Sequence, residues 1–275
     1  NFSMTEEIKP KVSVVKVTPG TVLNGIAHAM KLADYQKYLS VSIPTLLKIN
    51  TSWQHYYPAC STSPWQLDGV IRTLKNDGHQ DLIPLHNGTV VVDSREGEIN
   101  NKHGVVQEKH NLTSLHLEEE NWVRFNPNEE LLVLDKIYKD GIYIPQIMEG
   151  KNIIHLPTMK THVFTTVTGA MKNAFGGLLN FERHWTHSVI HETLVDLLRI
   201  QKNIHDKQTW YLVEDDNKNK FFISSLSSTM VELPSNQITK SNTNKSEDNS
   251  QATKVSLQGR KPFSLNKLKT VIDQE

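Results

Sequence analysis

The chain has 275 residues, enough for one large domain or two small ones and for a substantial core. Thirty Lys and Arg balance thirty Asp and Glu, which excludes a general electrostatic grip on nucleic acid or an anionic membrane; any anion site must be local. Cys60 is the only cysteine, so an internal disulfide, a cysteine-based zinc cluster and an iron–sulfur cluster held within this chain are excluded.

Read in chain order, Val12–Val17 is an apolar, β-branched strand, and Thr21–Leu39 follows with helical spacing of Leu23, Ile26, Ala27 and Met30. Ile43–Ile49 is the next strand. Ser63 and Pro64 then supply the N-cap and first-turn proline of a helix that Gly78 stops. Further strands are predicted at Asp81–Leu85, Thr89–Val92, Leu131–Leu134, Asn152–Leu156 and Thr209–Val213, and a second helix over Thr186–Ile204. Between them, 93–130 is polar and reads as an elaborated surface region. Alternation of this kind predicts an α/β domain over 12–213, a mainly parallel sheet flanked by helices. Residues 214–275 read as a polar low-complexity tail, disordered by composition, with a short helix over Lys261–Ile272. No apolar run approaches the ~18 residues that span a bilayer, and no signal-peptide plan opens the chain. The expectation is therefore a cytoplasmic protein without membrane or nucleic-acid partners. The opening Asn-Phe-Ser-Met leaves open whether Met4 is a natural start or Asn1 begins a fragment.

Five of the thirteen histidines fall between His155 and His191, where even scatter would place about two. In α/β sheets, ligands collect beyond the carboxyl ends of strands, and Lys160 and His162 follow the Asn152–Leu156 strand directly. Thr168 is a plausible N-cap for a short helix that Gly176 and Gly177 would terminate, presenting free amides beside Lys160, His162 and Lys172. That is an anion pocket in outline, without Walker spacing. Its alternative is a buried turn with surface lysines. His184, His187 and His191 stand at i, i+3 and i+7, a spacing able to hold a divalent transition metal, with Glu192 and Asp196 as supporting carboxylates; the alternative is a solvated histidine face. Lys48 and Asn50 end a strand that points toward the same crevice. Cys60, in the aromatic stretch Trp53–Trp65, precedes a helix N-terminus, but no paired base marks it as catalytic rather than inert.

These residues resemble a family. Leu46–Asn50 (LLKIN), Ser61–Gly78 (STSPWQLDGVIRTLKNDG), Lys160–Leu179 (KTHVFTTVTGAMKNAFGGLL) and Arg183–His187 (RHWTH) look like the domain-of-unknown-function 362 family, over about 12–205. The resemblance implies an α/β domain, joined in some members to a ferredoxin-like module, and brings no established reaction. It carries onto Lys48, Asn50, Lys160, Thr161, His162, Thr168, Gly169, Lys172, Asn173, Gly176, Arg183, His184 and His187. Ile49 replaces the family's proline, and after His205 the family's glycine-rich acidic loop is missing, so the fold reads as truncated in its C-terminal half.

Three functions follow as expectations. In the first, a small anionic metabolite is held by Lys48, Asn50, Lys160, Thr168, Gly169, Lys172, Asn173 and Arg183, while His162 or His187 moves a proton. The second is a metal-binding accessory protein that partners a separate iron–sulfur protein. The third is an inactive truncated homologue.

Overall fold

The computed structural model describes residues 12–89, 91–204, 209–215 and 220–226. Its strands are β1 (Val12–Lys16), β2 (Thr45–Ile49), β3 (Leu82–His86), β4 (Leu115–His116), β5 (Trp122–Phe125), β6 (Ile142–Pro145), β7 (Asn152–Leu156), β8 (Lys160–His162), β9 (Thr166–Thr168), β10 (Thr209–Asp215) and β11 (Lys220–Leu226). The helices are α1 (Val22–Leu32), α2 (Pro64–Asn76), α3 (Ser94–Asn100), α4 (His103–Lys109), α5 (Leu134–Ile137), α6 (Ala170–Leu178) and α7 (Ile190–Ile204), and a 3₁₀ segment covers Phe181–Val189. The main sheet has the order β1-β11-β10-β7-β2-β3-β4. Within it β10, β7, β2, β3 and β4 pair in parallel, while β11 runs antiparallel to β10 and β1. The sequence therefore yields the α/β, mainly parallel sheet that its alternation predicts.

All five positions of both β2 and β7 are buried, which is why they read as continuous apolar runs rather than alternating ones. Strand alternation still sorts their side chains. Leu47, Ile49, Ile154 and Leu156 join the core with α1 and α2, whereas Leu46 and Ile153 join the core with α6 and α7. Lys48 and His155 alternate onto this second face. The two helices on the first face cross closely, because a Cβ at Gly69 would meet Ile26 at 2.5 Å. The chain leaves β2 through α2 to β3 on one side, and leaves β7 through α6 and α7 to β10 on the other. Such a reversal opens a crevice beyond the carboxyl ends of β2 and β7.

Several elements differ from the sequence reading. Helix α2 begins as expected, with Ser63 accepting from the Gln66 amide at 3.2 Å, and Gly78 stops it at φ +99°. The long first helix instead ends at Leu32, followed by a 3₁₀ turn at Tyr35–Lys37. Thr89 and Val92 close a turn rather than a strand, the Thr89 hydroxyl accepting from the Val91 and Val92 amides, so that Asp93 can cap α3. Leu131–Leu134 is no strand either, because the buried Asp196 carboxylate gathers the Leu132, Val133 and Leu134 amides at the start of α5. The predicted helix over Thr186–Ile204 divides into the end of the 3₁₀ segment and α7.

The domain also extends past residue 213. Strand β11 lies inside the segment read as tail and pairs along its length with β10 and, through five residues, with β1. Its Phe-Phe-Ile run is flanked by polar sequence, and that context hid it. The remainder of the expected tail, including Pro234–Thr253 and the Lys261–Ile272 helix, lies outside the described residues. No helix among the described residues is long and apolar enough to cross a membrane.

Candidate functional site

Lys48 stands at the carboxyl end of β2 and is 4% exposed. Its stem runs against α6, where a Cβ at Gly177 would lie 3.1 Å from Lys48 Cε and 3.3 Å from Cδ. Glycine at 177 thus makes room for the lysine. Its ammonium donates to the Ile49 carbonyl at 2.5 Å. Burial, then the Arg183 charge, pushes its pKa down to about 7, with Glu118 opposing in part. The Lys48 carbonyl accepts from the Asn173 amide at 2.9 Å, and His155 is held between Asn173 and Gln201, its Nε2 lying 2.7 Å from Gln201 Oε1. Asn173 therefore ties α6 to the strand that carries Lys48.

The crevice walls are stitched across the two central strands. The loop after β2 returns as Thr62, whose hydroxyl accepts from the Asn50 amide at 2.8 Å and makes a short hydrogen bond to the Leu156 carbonyl. Thr158 donates to the Ser61 carbonyl at 2.9 Å and Gln66 to that of Pro157 at 3.3 Å. Lys160 spans this seam, donating to Asn50 Oδ1 at 2.8 Å and to the Cys60 carbonyl at 2.5 Å. Cys60 thus serves the site through its backbone; its thiol is free and partly exposed.

Beyond the seam, β8 and β9 form a ribbon that pairs Lys160 with Thr168 and leads to α6. The N-cap is Gly169 rather than Thr168, no side chain caps the helix, and α6 runs on through Gly176 and Gly177 to Leu178. Thr168, buried, ends the strand instead. The two glycines therefore lie within α6 and do not stop it. Lys172, in its first turn, holds Nζ 4.0 Å from the centroid of the Phe175 ring. Burial, then the Arg183 and Lys160 charges, brings its pKa down to about 8. Arg183, 6% exposed, donates to the carbonyls of Leu179 and Asn180 at 3.1 Å and of Gly88 at 2.5 Å. Burial lowers its pKa to about 10, against the pull of Glu118 and Tyr138, and leaves the guanidinium charged at neutral pH.

Two histidines face these cations. His187 is stacked between Phe164 and Phe175, with ring centroids 4.3 and 5.6 Å away, and burial followed by the Lys172 and His162 charges pushes it down to about 4. His162 takes the Phe164 amide on Nδ1 at 3.1 Å; burial, Lys172 and Lys160 lower its pKa too. Lys48, Lys160, Lys172, Arg183, His162 and His187 therefore share one field, each acting on at least one other. No carboxylate lies within ion-pair distance of Lys48, Lys172 or Arg183 among the described residues.

The histidine triplet is arranged differently from this cluster. His184 and His191 are exposed, His187 is held in its aromatic stack, and the change from 3₁₀ to α geometry at Ile190 breaks the single helical face their spacing assumed. Among the described residues, no group of three or more His, Cys, Asp or Glu is placed to hold a metal ion. Of the two supporting carboxylates, Glu192 is exposed, and Asp196 is fully buried and occupied by the α5 amides.

A second polar group, not expected from the sequence, lies at the ends of β3 and β4. His86, His103 and His116 are buried, and the His86 ring lies 5.5 and 5.4 Å from those of the other two. Glu98 lies 3.0 Å from His116 Nε2, and Glu118 accepts from the Gly88 amide at 2.9 Å. Burial drives His86 well below the ordinary histidine range and His103 down to about 4. These residues are scattered singly through 86–118, much of which reads as surface, so no spacing exposed them.

The sequence matches a family described as Domain of unknown function (DUF362) over residues 45–223. That match covers well over half of the chain and includes every element from β2 through most of β11. No curated protein matches it at a significant level. The chain belongs to the domain-of-unknown-function 362 family.

Proposed function

We propose that the crevice beyond β2 and β7 binds a small ligand bearing a carboxylate or phosphate, and that His162 and His187 exchange a proton with it. The observation that carries this reading is the gathering of buried Lys48 and Arg183 with half-buried Lys172, without a carboxylate in ion-pair contact among the described residues. Taking a cation out of water is costly, and three that repel one another are costlier, so a bound anion relieves both terms. Lys160 supports the rim, and the first turn of α6, which carries Lys172, has no side-chain cap on its amides. Both histidines are neutral near pH 7 and free to accept a proton, and a bound anion, by offsetting the neighbouring cations, would raise their pKa values toward the range general-base work requires. The free Cys60 thiol fits a reducing, cytoplasmic setting.

The test is thermal unfolding of the full chain against rising sulfate, phosphate and malonate. Wild type is expected to gain stability with at least one of them, and Lys172→Met, which keeps its stem over Phe175, to bind about tenfold more weakly, or ~1.4 kcal/mol. No response to any of the three anions, or an unchanged response in Lys172→Met, overturns the proposal.

A further inference from the structure

A continuous line of polar side chains runs from α3 across the end of β4 to the cationic edge. Glu98 accepts from Ser114 at 2.7 Å and lies 3.0 Å from His116 Nε2. His116 Nδ1 is 2.7 Å from Ser94 Oγ, and Ser94 Oγ makes a short hydrogen bond with Glu118 Oε1. Glu118 Oε2 takes the Gly88 amide, while the Gly88 carbonyl takes Arg183. Ser94 and His116, the middle of the line, are 2% and 6% exposed.

The hydrogens available to this line fix who donates to whom. Burial opposes ionisation of Glu98, but His116 and Ser114 hold its carboxyl below the usual range, so it only accepts, and His116 Nε2 must carry a hydrogen. Ser94 has a single hydroxyl hydrogen, which cannot serve both His116 Nδ1 and Glu118 Oε1. Both contacts are made only when the set holds one more proton. In one arrangement His116 is doubly protonated and Ser94 donates to an ionised Glu118. In the other, Glu118 is protonated and donates to Ser94, whose hydrogen turns to His116 Nδ1.

We propose that His116 and Glu118 share one proton through the Ser94 hydroxyl, and that this places a mobile proton beside Lys48 and Arg183 for a ligand bound there. The ligand half rests on the anion reading above. Interconversion moves two hydrogens together: the His116 N–H and Ser94 O–H bonds break, while Ser94 and Glu118 each gain an O–H bond. Neither oxidant nor reductant is involved. Glu118 is faced by Lys48 from β2, Arg183 from the 3₁₀ segment, Arg95 from α3 and His116 from β4. His116 is faced by Glu98 from α3, His86 from β3 and Glu118. The charges around the pair favour one arrangement: Glu98 holds the proton on His116, while Lys48, Arg183 and Arg95 favour an ionised Glu118, whose carboxyl burial alone would raise but which Ser94 and the Gly88 amide hold below the usual range. The proton therefore rests on His116, and Ser94 is the relay through which Glu118 receives it.

The test is NMR of the full chain with labelled histidine and glutamate, following the His116 ring nitrogens and the Glu118 carboxyl carbon with pH. One common midpoint is expected in the wild type, two midpoints about one pH unit apart in Ser94→Ala, and a restored common midpoint in Ser94→Thr. Separate midpoints in the wild type overturn the shared proton, and that measurement alone decides if Ser94→Ala does not fold. A common midpoint that survives in folded Ser94→Ala overturns it as well. Sulfate calorimetry in two buffers of different ionisation enthalpy reads the ligand half, with proton uptake expected to fall in Glu118→Gln; unchanged uptake overturns that half. Absent sulfate binding with a common midpoint removes the anion reading and leaves the shared proton standing. Intact binding with separate midpoints removes the shared proton alone.

Discussion

Replacing Lys48 by Met probes the central electrostatic feature of the site. The lysine is 4% exposed and its pKa falls from 10.5 to about 7 chiefly through burial. At ~1.36 kcal/mol per tenfold, that fall corresponds to roughly 5 kcal/mol of destabilisation when the amine is charged. Because the folded-state value lies below the unfolded one, the full cost is present below pH 7, shrinks as pH rises, and is gone above 10.5. Integrated between pH 6 and pH 9, the wild type should recover roughly 2–3 kcal/mol from this group alone. Met offers an unbranched stem of similar length against Gly177 and Met148 and carries no titration. Urea unfolding of both proteins at the two pH values provides the assay, since all other titrating groups largely cancel in the difference. Lys48→Met should be the more stable protein at pH 6, by a margin that narrows by about 2 kcal/mol at pH 9. Saturating sulfate at pH 6 should also narrow it, because the anion stabilises the protein that keeps the Lys48 cation more than the one that has lost it. A margin that does not change with pH would refute the claim that a buried, strained ammonium sits at this strand end.

Neighbouring glycines of α6 should behave oppositely. A Cβ at Gly176 meets nothing within 4 Å, so Gly176→Ala should stabilise by roughly 0.5–1 kcal/mol as a helix-interior substitution. Gly177→Ala must displace the Lys48 stem and should forfeit that gain and weaken sulfate binding; equal unfolding midpoints and equal titrations for the two variants would contradict this packing. At Asp196, fully buried, the carboxylate accepts from three amides at 2.8, 2.9 and 3.1 Å. Removing it in Asp196→Ala should cost about 3 kcal/mol or more in urea unfolding, and Asp196→Asn less because one acceptor oxygen survives. A loss below ~1 kcal/mol for the alanine variant would show that those amides find other acceptors.

What could be read from sequence was what depends on short-range pattern. The buried central strands announced themselves as apolar runs, and Ser63-Pro64 with Gly78 framed α2 because capping and positive φ are local requirements. Lys48, Lys160, Lys172 and Arg183 were legible because a strand end followed by a basic, glycine-containing segment is a local signature too. Features fixed by distant partners were not legible. Leu131–Leu134 looks like a strand until Asp196, more than sixty positions away, claims its amides. Strand β11 depends on β1 at the opposite end of the chain for its second neighbour. The line from Glu98 to Glu118 depends on α3 folding back over β4, which no periodicity of that polar stretch expresses.

The placement of charge argues for a ligand of limited size and definite sign. The chain as a whole is neutral, yet the crevice concentrates cations whose pKa values are depressed by burial and by one another. Glu118 is the anion whose field both Lys48 and Arg183 feel, but its oxygens are engaged by Ser94 and the Gly88 amide, so its attraction acts through space and offsets only part of the repulsion. In a low-dielectric setting, charge–charge terms are several-fold stronger than at a surface, and an uncompensated group of this kind is a standing cost to folding. A monovalent anion would relieve one contact in the cluster, whereas a dianion can answer the inner pair, Lys48 and Arg183, and the outer Lys172 together. Sulfate should therefore stabilise the wild type more than acetate at equal ionic strength, and Lys172→Met should reduce that preference. Equal stabilisation by the two anions would mean that the crevice senses ionic strength rather than a bound ligand.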